Sequence, residues 1–367
     1  MIVLIDYPHD PNNQETDVTL PKALKGSLVS RTAILGLVTL SVVMTAPEAG
    51  AQQTCVRIMK QDSTLNNLVD PPGYKTAPLG TLGGVLKSGT GPQDMILIPG
   101  LGFSGDVFQE LMSSWGDKYR MFAVTLPGFG GSAAPPCPAA TVSFGEQTWT
   151  NNALAAIEKL IKDENIKNPI VVGHWLVGAQ LAMRLAMAHP DEVKAVILFS
   201  GSTHFVPSDT TKWPLHMTLE RRVAGVDRYM APRWFATVTR ETWDDNNFLP
   251  ADYAVHPLRG LRLWREAFEP PLHVWVRYLC EYHAQDISLD FGKVTTPTLV
   301  LNPGLEGLFV ESGANYMYGF TAAGWEGAEA ANPRIKIVTI PDSRACLWFD
   351  QPERVNAAVQ EFLQTIK

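Results

Sequence analysis

Cysteine is scarce in this chain, with four in 367 residues, and no two of them are close in sequence. The spacing of Cys55, Cys137, Cys280 and Cys346 matches no zinc pattern and is too sparse for a disulfide-held miniature scaffold. Basic runs are missing as well. Thirty Lys and Arg stand against 37 Asp and Glu, a net charge of −7, so no surface is expected to neutralise a phosphate backbone, which argues against nucleic acid as a partner. The longest apolar run, residues 32–45, falls short of the roughly 20 residues a membrane-spanning helix needs. What remains is ordinary globular material, 46% hydrophobic and 18% charged, enough for one large buried core. A small molecule is the expected partner. No motif requires a metal or an organic cofactor, and the oligomeric state is open.

The first fifty residues read differently from the rest. Lys22, Lys25 and Arg31 precede the apolar run, and Ala49-Gly50-Ala51 follows it as a small-residue cleavage signature. This is the pattern of a secretory signal peptide cut after Ala51, which predicts a secreted or periplasmic protein that meets a membrane only through an uncleaved signal. Residues 1–21 form an unusually long polar lead before that segment. Export permits disulfides. Four cysteines allow three pairings, and free buried thiols are an equal alternative.

From about residue 80, short β-branched runs alternate with helical spacing. Residues 95–98, 121–125, 170–172, 195–199, 298–301 and 335–340 are mostly continuous apolar runs, as strands buried on both faces require. Ala153, Leu154, Ile157, Leu160 and Ile161 recur at helical spacing, as do Leu181, Leu185 and Ala188. The alternation predicts an α/β fold with a mostly parallel central sheet flanked by helices. Between 203 and 290 no strand is evident, and Trp213, Trp234, Trp243, Trp264 and Trp275 cluster there. The predicted organisation is an N-terminal extension and signal over 1–51, a core over 52–202 and 291–367, and a helical cap over 203–290. Such caps cover strand ends where ligands bind, although each Trp taken singly fits the cap's own small core.

Four motifs in order carry a family resemblance over roughly residues 78–366. Ile98-Pro99-Gly100-Leu101-Gly102 resembles the oxyanion loop of the α/β-hydrolase superfamily, and Leu126-Pro127-Gly128-Phe129-Gly130-Gly131-Ser132 its next glycine-rich turn. Gly173-His174-Trp175-Leu176-Val177-Gly178 resembles the nucleophile elbow, and Pro341-Asp342-Ser343-Arg344 the final loop. The resemblance implies a capped α/β-hydrolase fold and a Ser-His-acid triad. Two of those positions are altered. The serine slot holds Trp175, whose indole has no nucleophilic oxygen, and the histidine slot holds Ala345. The second glycine of Gly-x-Ser-x-Gly is Val177.

The acid slot falls near Glu306, with Glu311 next. The oxyanion donors implied by the resemblance are the backbone N–H groups of Leu101, which follows Gly100, and of Leu176, and these survive any side-chain change. Trp175 is either a plug or a stacking surface over the pocket, and the sequence does not choose between them. Other residues that could supply chemistry are His174 beside the elbow, His204 after the 195–199 strand, and His256, His273 and His283 in the cap. Ser104 and Ser343 lie in the expected loops without a visible base. Two functions compete. One is a binding protein for a small, partly apolar, carbonyl- or carboxylate-bearing ligand, without serine-hydrolase chemistry. The other is a working esterase-like hydrolase, lyase or oxygenase with an unorthodox set such as His174 and Glu306. A partner-binding module built on the Trp-rich cap is a third option.

Overall fold

The computed structural model describes residues 76–136, 138, 142–206, 218–231, 234, 248–308 and 316–366. The signal segment, Cys55, Cys137, Glu311, Trp213 and Trp243 lie outside the described residues. Cys280 and Cys346 are both free and buried.

Seven strands form one sheet in the order β1-β3-β2-β4-β5-β6-β7. They are β1 (Gly84–Ser88), β2 (Gln93–Ile98), β3 (Tyr119–Thr125), β4 (Ile170–His174), β5 (Ala195–Phe199), β6 (Thr298–Pro303) and β7 (Ile335–Ile340). Every pairing is parallel except β1 with β3. The three central strands β2, β4 and β5 are buried at nearly every residue, because helices cover both faces and leave no polar side to the alternation. β1 was not expected from the sequence. It is an edge strand of intermediate burial with Lys87 exposed, so it carries no continuous apolar run to announce it.

Helices α1 (Gln109–Trp115), α2 (Thr148–Asp163), α3 (Val177–Ala188) and α4 (Leu219–Gly225) follow in chain order. Next come α5 (Pro250–Tyr253), α6 (Pro257–Ala267) and α7 (Leu272–Ala284), and α8 (Pro352–Gln364) closes the chain. The described residues between β5 and β6 contain helices and loops but no strand, and α4 to α7 belong to that insertion. Trp264 and Trp275 both pack against Phe268, with ring centroids 5.4 and 5.5 Å apart, which places them in the insertion's own core.

Strand order also fixes where a site can form. β2 pairs with β3 on one side and β4 on the other, so the chain reverses its winding between β2 and β4. The loops leaving the carboxyl ends of those two strands diverge, and the crevice between them is where open α/β sheets bind ligands.

The insertion is tied to the core by a buried carboxylate. Glu281 of α7 has no exposed surface and accepts the N–H groups of Trp149 and Thr150 at 2.9 and 2.8 Å, in the first turn of α2. The Thr150 hydroxyl and Arg277 Nε complete its shell. The positive end of the α2 dipole favours a carboxylate there. Glu281→Leu would leave Arg277 buried without its carboxylate and two helix N–H groups without an acceptor. It is expected to cost about 3–5 kcal/mol in urea unfolding, and a loss below about 1 kcal/mol would show that the tether is not structural.

Candidate functional site

The strand-to-helix turn at the end of β4 is strained as an elbow requires. Trp175 and Leu176 are consecutive non-glycine residues at φ +32° and +52°, a conformation costly for bulky side chains. Glycine makes the turn possible on both sides. A Cβ on Gly173 would lie 2.6 Å from the Ala182 methyl of α3, and one on Gly178 would lie 2.3 Å from the Pro99 carbonyl oxygen. The close approach of helix to loop therefore falls on Gly178, and Val177 is accommodated as a buried side chain.

Trp175 has no exposed surface. Its indole packs edge-on against Phe248 at 4.7 Å and Tyr253 at 5.4 Å, both from the insertion. Its Nε1–H meets no acceptor among the described residues. In this conformation the indole fills space between the elbow and the insertion.

His174 is fully buried and bridges two loops. Its Nδ1 accepts the Gly100 N–H at 3.2 Å, which leaves the proton on Nε2, and Nε2 donates to the Ala345 carbonyl at 3.2 Å. Both ring nitrogens are therefore engaged by backbone. Trp348 stands edge-on to the ring at 4.8 Å. Cys346 Sγ lies 3.9 Å from Nε2, but that nitrogen carries the proton, and burial holds the thiol far above its ordinary pKa. No activated Cys–His pair results.

Ala345, expected from the sequence at the family's histidine position, links to the insertion through its peptide. The N–H groups of Ala345 and Cys346 donate to the carbonyls of Asp252 and Tyr253, each at 3.0 Å. Glu306 is exposed, and its carboxylate accepts the Asp342 N–H at 2.8 Å. His174 and Glu306 are thus held by different partners and are not hydrogen-bonded to each other. Ser343 donates to the Ile340 carbonyl, and Ser104 to Glu266 at 3.2 Å.

Leu101 and Leu176 are fully buried, and their N–H groups donate to no acceptor among the described residues. A Cβ on Gly100 would lie 3.1 Å from the Trp175 Cβ, so the two loops that carry these donors are in contact. Two buried, unclaimed backbone donors on adjoining loops suit a ligand oxygen bearing partial or full negative charge. Among the described residues, no group of three His, Cys, Asp or Glu side chains is placed to hold a metal ion.

The sequence reading did not find the polar cluster at the other end of the insertion. His204 Nδ1 lies 3.0 Å from Asp286 Oδ1, and Arg222 Nη2 lies 2.7 Å from Asp286 Oδ2. His204 stands out in the sequence as a candidate after the 195–199 strand, but Asp286 and Arg222 belong to no local motif and meet it only through the fold.

A mostly parallel α/β sheet, a strained elbow at its switch point and a helical insertion above define a protein of the α/β-hydrolase class. Comparison with known families agrees: the alpha/beta hydrolase family model matches residues 95–358, and the chain belongs to that family. A pimeloyl-[acyl-carrier protein] methyl ester esterase of Aeromonas hydrophila is 27% identical over 180 residues, 49% of this chain and 63% of that protein. The protein of the same name from Chromobacterium violaceum is 32% identical over 126 residues, 34% of this chain and 42% of its own length. The chain spans less than two thirds of these relatives. Among solved structures, a bromoperoxidase from Bacillus anthracis superposes with a TM-score of 0.54 at 17% identity, covering 76% of this chain and 94% of that one. An enol-lactonase from Burkholderia xenovorans gives 0.53 at 14%, covering 77% and 96%.

The burial of His174 has a measurable consequence. Desolvation lowers its pKa to about 3, against the opposing pull of the Ala345 carbonyl. The unfolded chain takes up that proton near pH 6.5. Between the two values the unfolded state binds more protons, so this contribution is complete above about pH 6.5 and is lost as pH falls toward 3. The loss is on the order of 4 kcal/mol. His283, also held at about 3 by burial, acts with the same sign. His174→Gln keeps an acceptor and a donor but no titration, and is expected to flatten the fall in urea midpoint between pH 6.5 and 4 by about half. An unchanged slope would contradict a neutral buried imidazole.

Proposed function

We propose that this α/β-hydrolase family member binds a small, partly apolar ligand through a carbonyl or carboxylate oxygen and lacks serine-hydrolase chemistry. The observation that carries the reading is at position 175. There, an indole buried against Phe248 and Tyr253 stands where an attacking oxygen is required. Supporting it, both nitrogens of His174 are bound to backbone, Ala345 has no ring to offer, and Glu306 faces solvent with its carboxylate on the Asp342 N–H. The unclaimed N–H groups of Leu101 and Leu176 supply the ligand contact. The methyl ester esterase relatives bear names that imply an acyl carbonyl as substrate, the group this pair of donors suits. Export through the segment ending at Ala51 is part of the same proposal.

One observation favours the second reading, a working hydrolase, lyase or oxygenase. His204 is oriented by Asp286, and its Nε2 has no partner among the described residues, so it meets the geometric description of an oriented base. Reconstruction separates the two. The parent is expected to show no hydrolysis of p-nitrophenyl butyrate, and Trp175→Ser combined with Ala345→His to show it. Parent turnover that vanishes in His204→Gln would overturn the first reading in favour of the second.

A further inference from the structure

Arg222 presents an unmet need for an acceptor. It is 1% exposed, and only Nη2 is engaged, by Asp286. Nε and Nη1 meet no acceptor among the described residues. Buried donors left unmade on a charged group are expensive, so such a group in a folded protein invites a partner. Asp286 cannot extend its service. Its other oxygen already accepts from His204 Nδ1 and from the Ser288 N–H, each at 3.0 Å, and from the Ser288 hydroxyl.

The neighbouring side chain has the same deficit. Arg222 acts electrostatically on Tyr282, whose phenol is fully buried and without a hydrogen-bond partner. The adjacent Ser202 hydroxyl gives its proton to the His204 carbonyl and can only accept from the phenol, a contact that falls short of a well-formed hydrogen bond. Burial raises the phenol's pKa, so it remains a donor. Arg222 and Tyr282 together therefore offer several N–H and O–H groups and lack an acceptor. Water answers this poorly, because each molecule brings two donors of its own that need partners. A carboxylate brings two oxygens with about four lone pairs and no donor, and a guanidinium is its preferred partner.

This cluster connects to the elbow by an aromatic row. Trp175 meets Phe248, Phe248 meets Phe320 at 5.1 Å, and Phe320 stacks on Tyr282 at 6.3 Å. Gln180, on the first turn of α3, holds the near end of the cluster through the carbonyls of Thr203 and Tyr282 at 3.0 and 3.3 Å.

We propose that Arg222 and Tyr282 seat a ligand carboxylate at the far end of the aromatic row that begins at Trp175. The ligand class is then a small acid with an apolar middle, its carboxylate on Arg222 and a carbonyl at the opposite end toward Leu101 and Leu176. This deepens the ligand-binding reading and rests on it.

Calorimetric titration of the full chain with monomethyl adipate, monomethyl suberate and dimethyl adipate tests it. At least one monoester is expected to bind about tenfold or more tightly than the diester, since a charge-assisted contact contributes about 1.5–3 kcal/mol. Arg222→Met is expected to abolish that preference. Tyr282→Phe is expected to reduce it about threefold, and it decides the matter if the arginine variant does not fold. Diester binding without any monoester preference would overturn the carboxylate seat alone, as would a preference that persists in the variants. No binding of any of the three esters would overturn both the seat and the ligand-binding reading.

Discussion

The imidazole of His174 accepts the Gly100 N–H on one side and donates to the Ala345 carbonyl on the other, and through these two bonds three loops hold one another in place. The loop after β2, the elbow after β4 and the loop after β7 are all irregular backbone over the carboxyl ends of the sheet. Without a buried bridge they would leave unpaired polar groups beneath the insertion. The ring is enclosed by Phe103, Phe108 and Trp348, which exclude water from both bonds and keep the imidazole neutral. Because the Gly100 N–H is consumed by this bridge, the next amide, that of Leu101, is the one left without an acceptor among the described residues. A residue beside position 175 thus sets the geometry of the loops that carry the Leu101 and Leu176 amides.

The insertion depends on the same arrangement. It meets the core at Glu281 on α2, at the Asp252 and Tyr253 carbonyls on the final loop, and at the indole of Trp175. α6 also closes down on the loop after β2, where a Cβ on Gly102 would lie 2.1 Å from the Ala267 oxygen. An attacking serine would need open space above it, whereas Trp175 contributes apolar surface to the contact between core and insertion. In the proposed reading, the absence of an attacking serine and the gain of packing at position 175 are one feature seen from two sides.

The parallel strands were legible in the sequence because strands buried on both faces must be continuously apolar, as Ile170-Val171-Val172 and Ala195–Phe199 are. β1 was not, since an edge strand needs no such run. The elbow was legible from Gly173 and the residues around it, but the close-approach role of Gly178 depends on where the Pro99 carbonyl lies. The function of His174 could not be read locally either, because its partners are 74 and 171 residues away. Arg222 and Asp286, 64 residues apart, are joined only by the folded insertion. Motifs report elements whose chemistry is local, whereas buried polar partnerships are set by tertiary contacts.

We propose that this chain keeps loops suited to a ligand oxygen and carries no serine nucleophile. Intact-mass spectrometry of the purified protein after exposure to an alkyl fluorophosphonate tests that claim most directly. The account predicts an unmodified mass after prolonged incubation, whereas a single stoichiometric adduct that disappears on heat denaturation before labelling would contradict it.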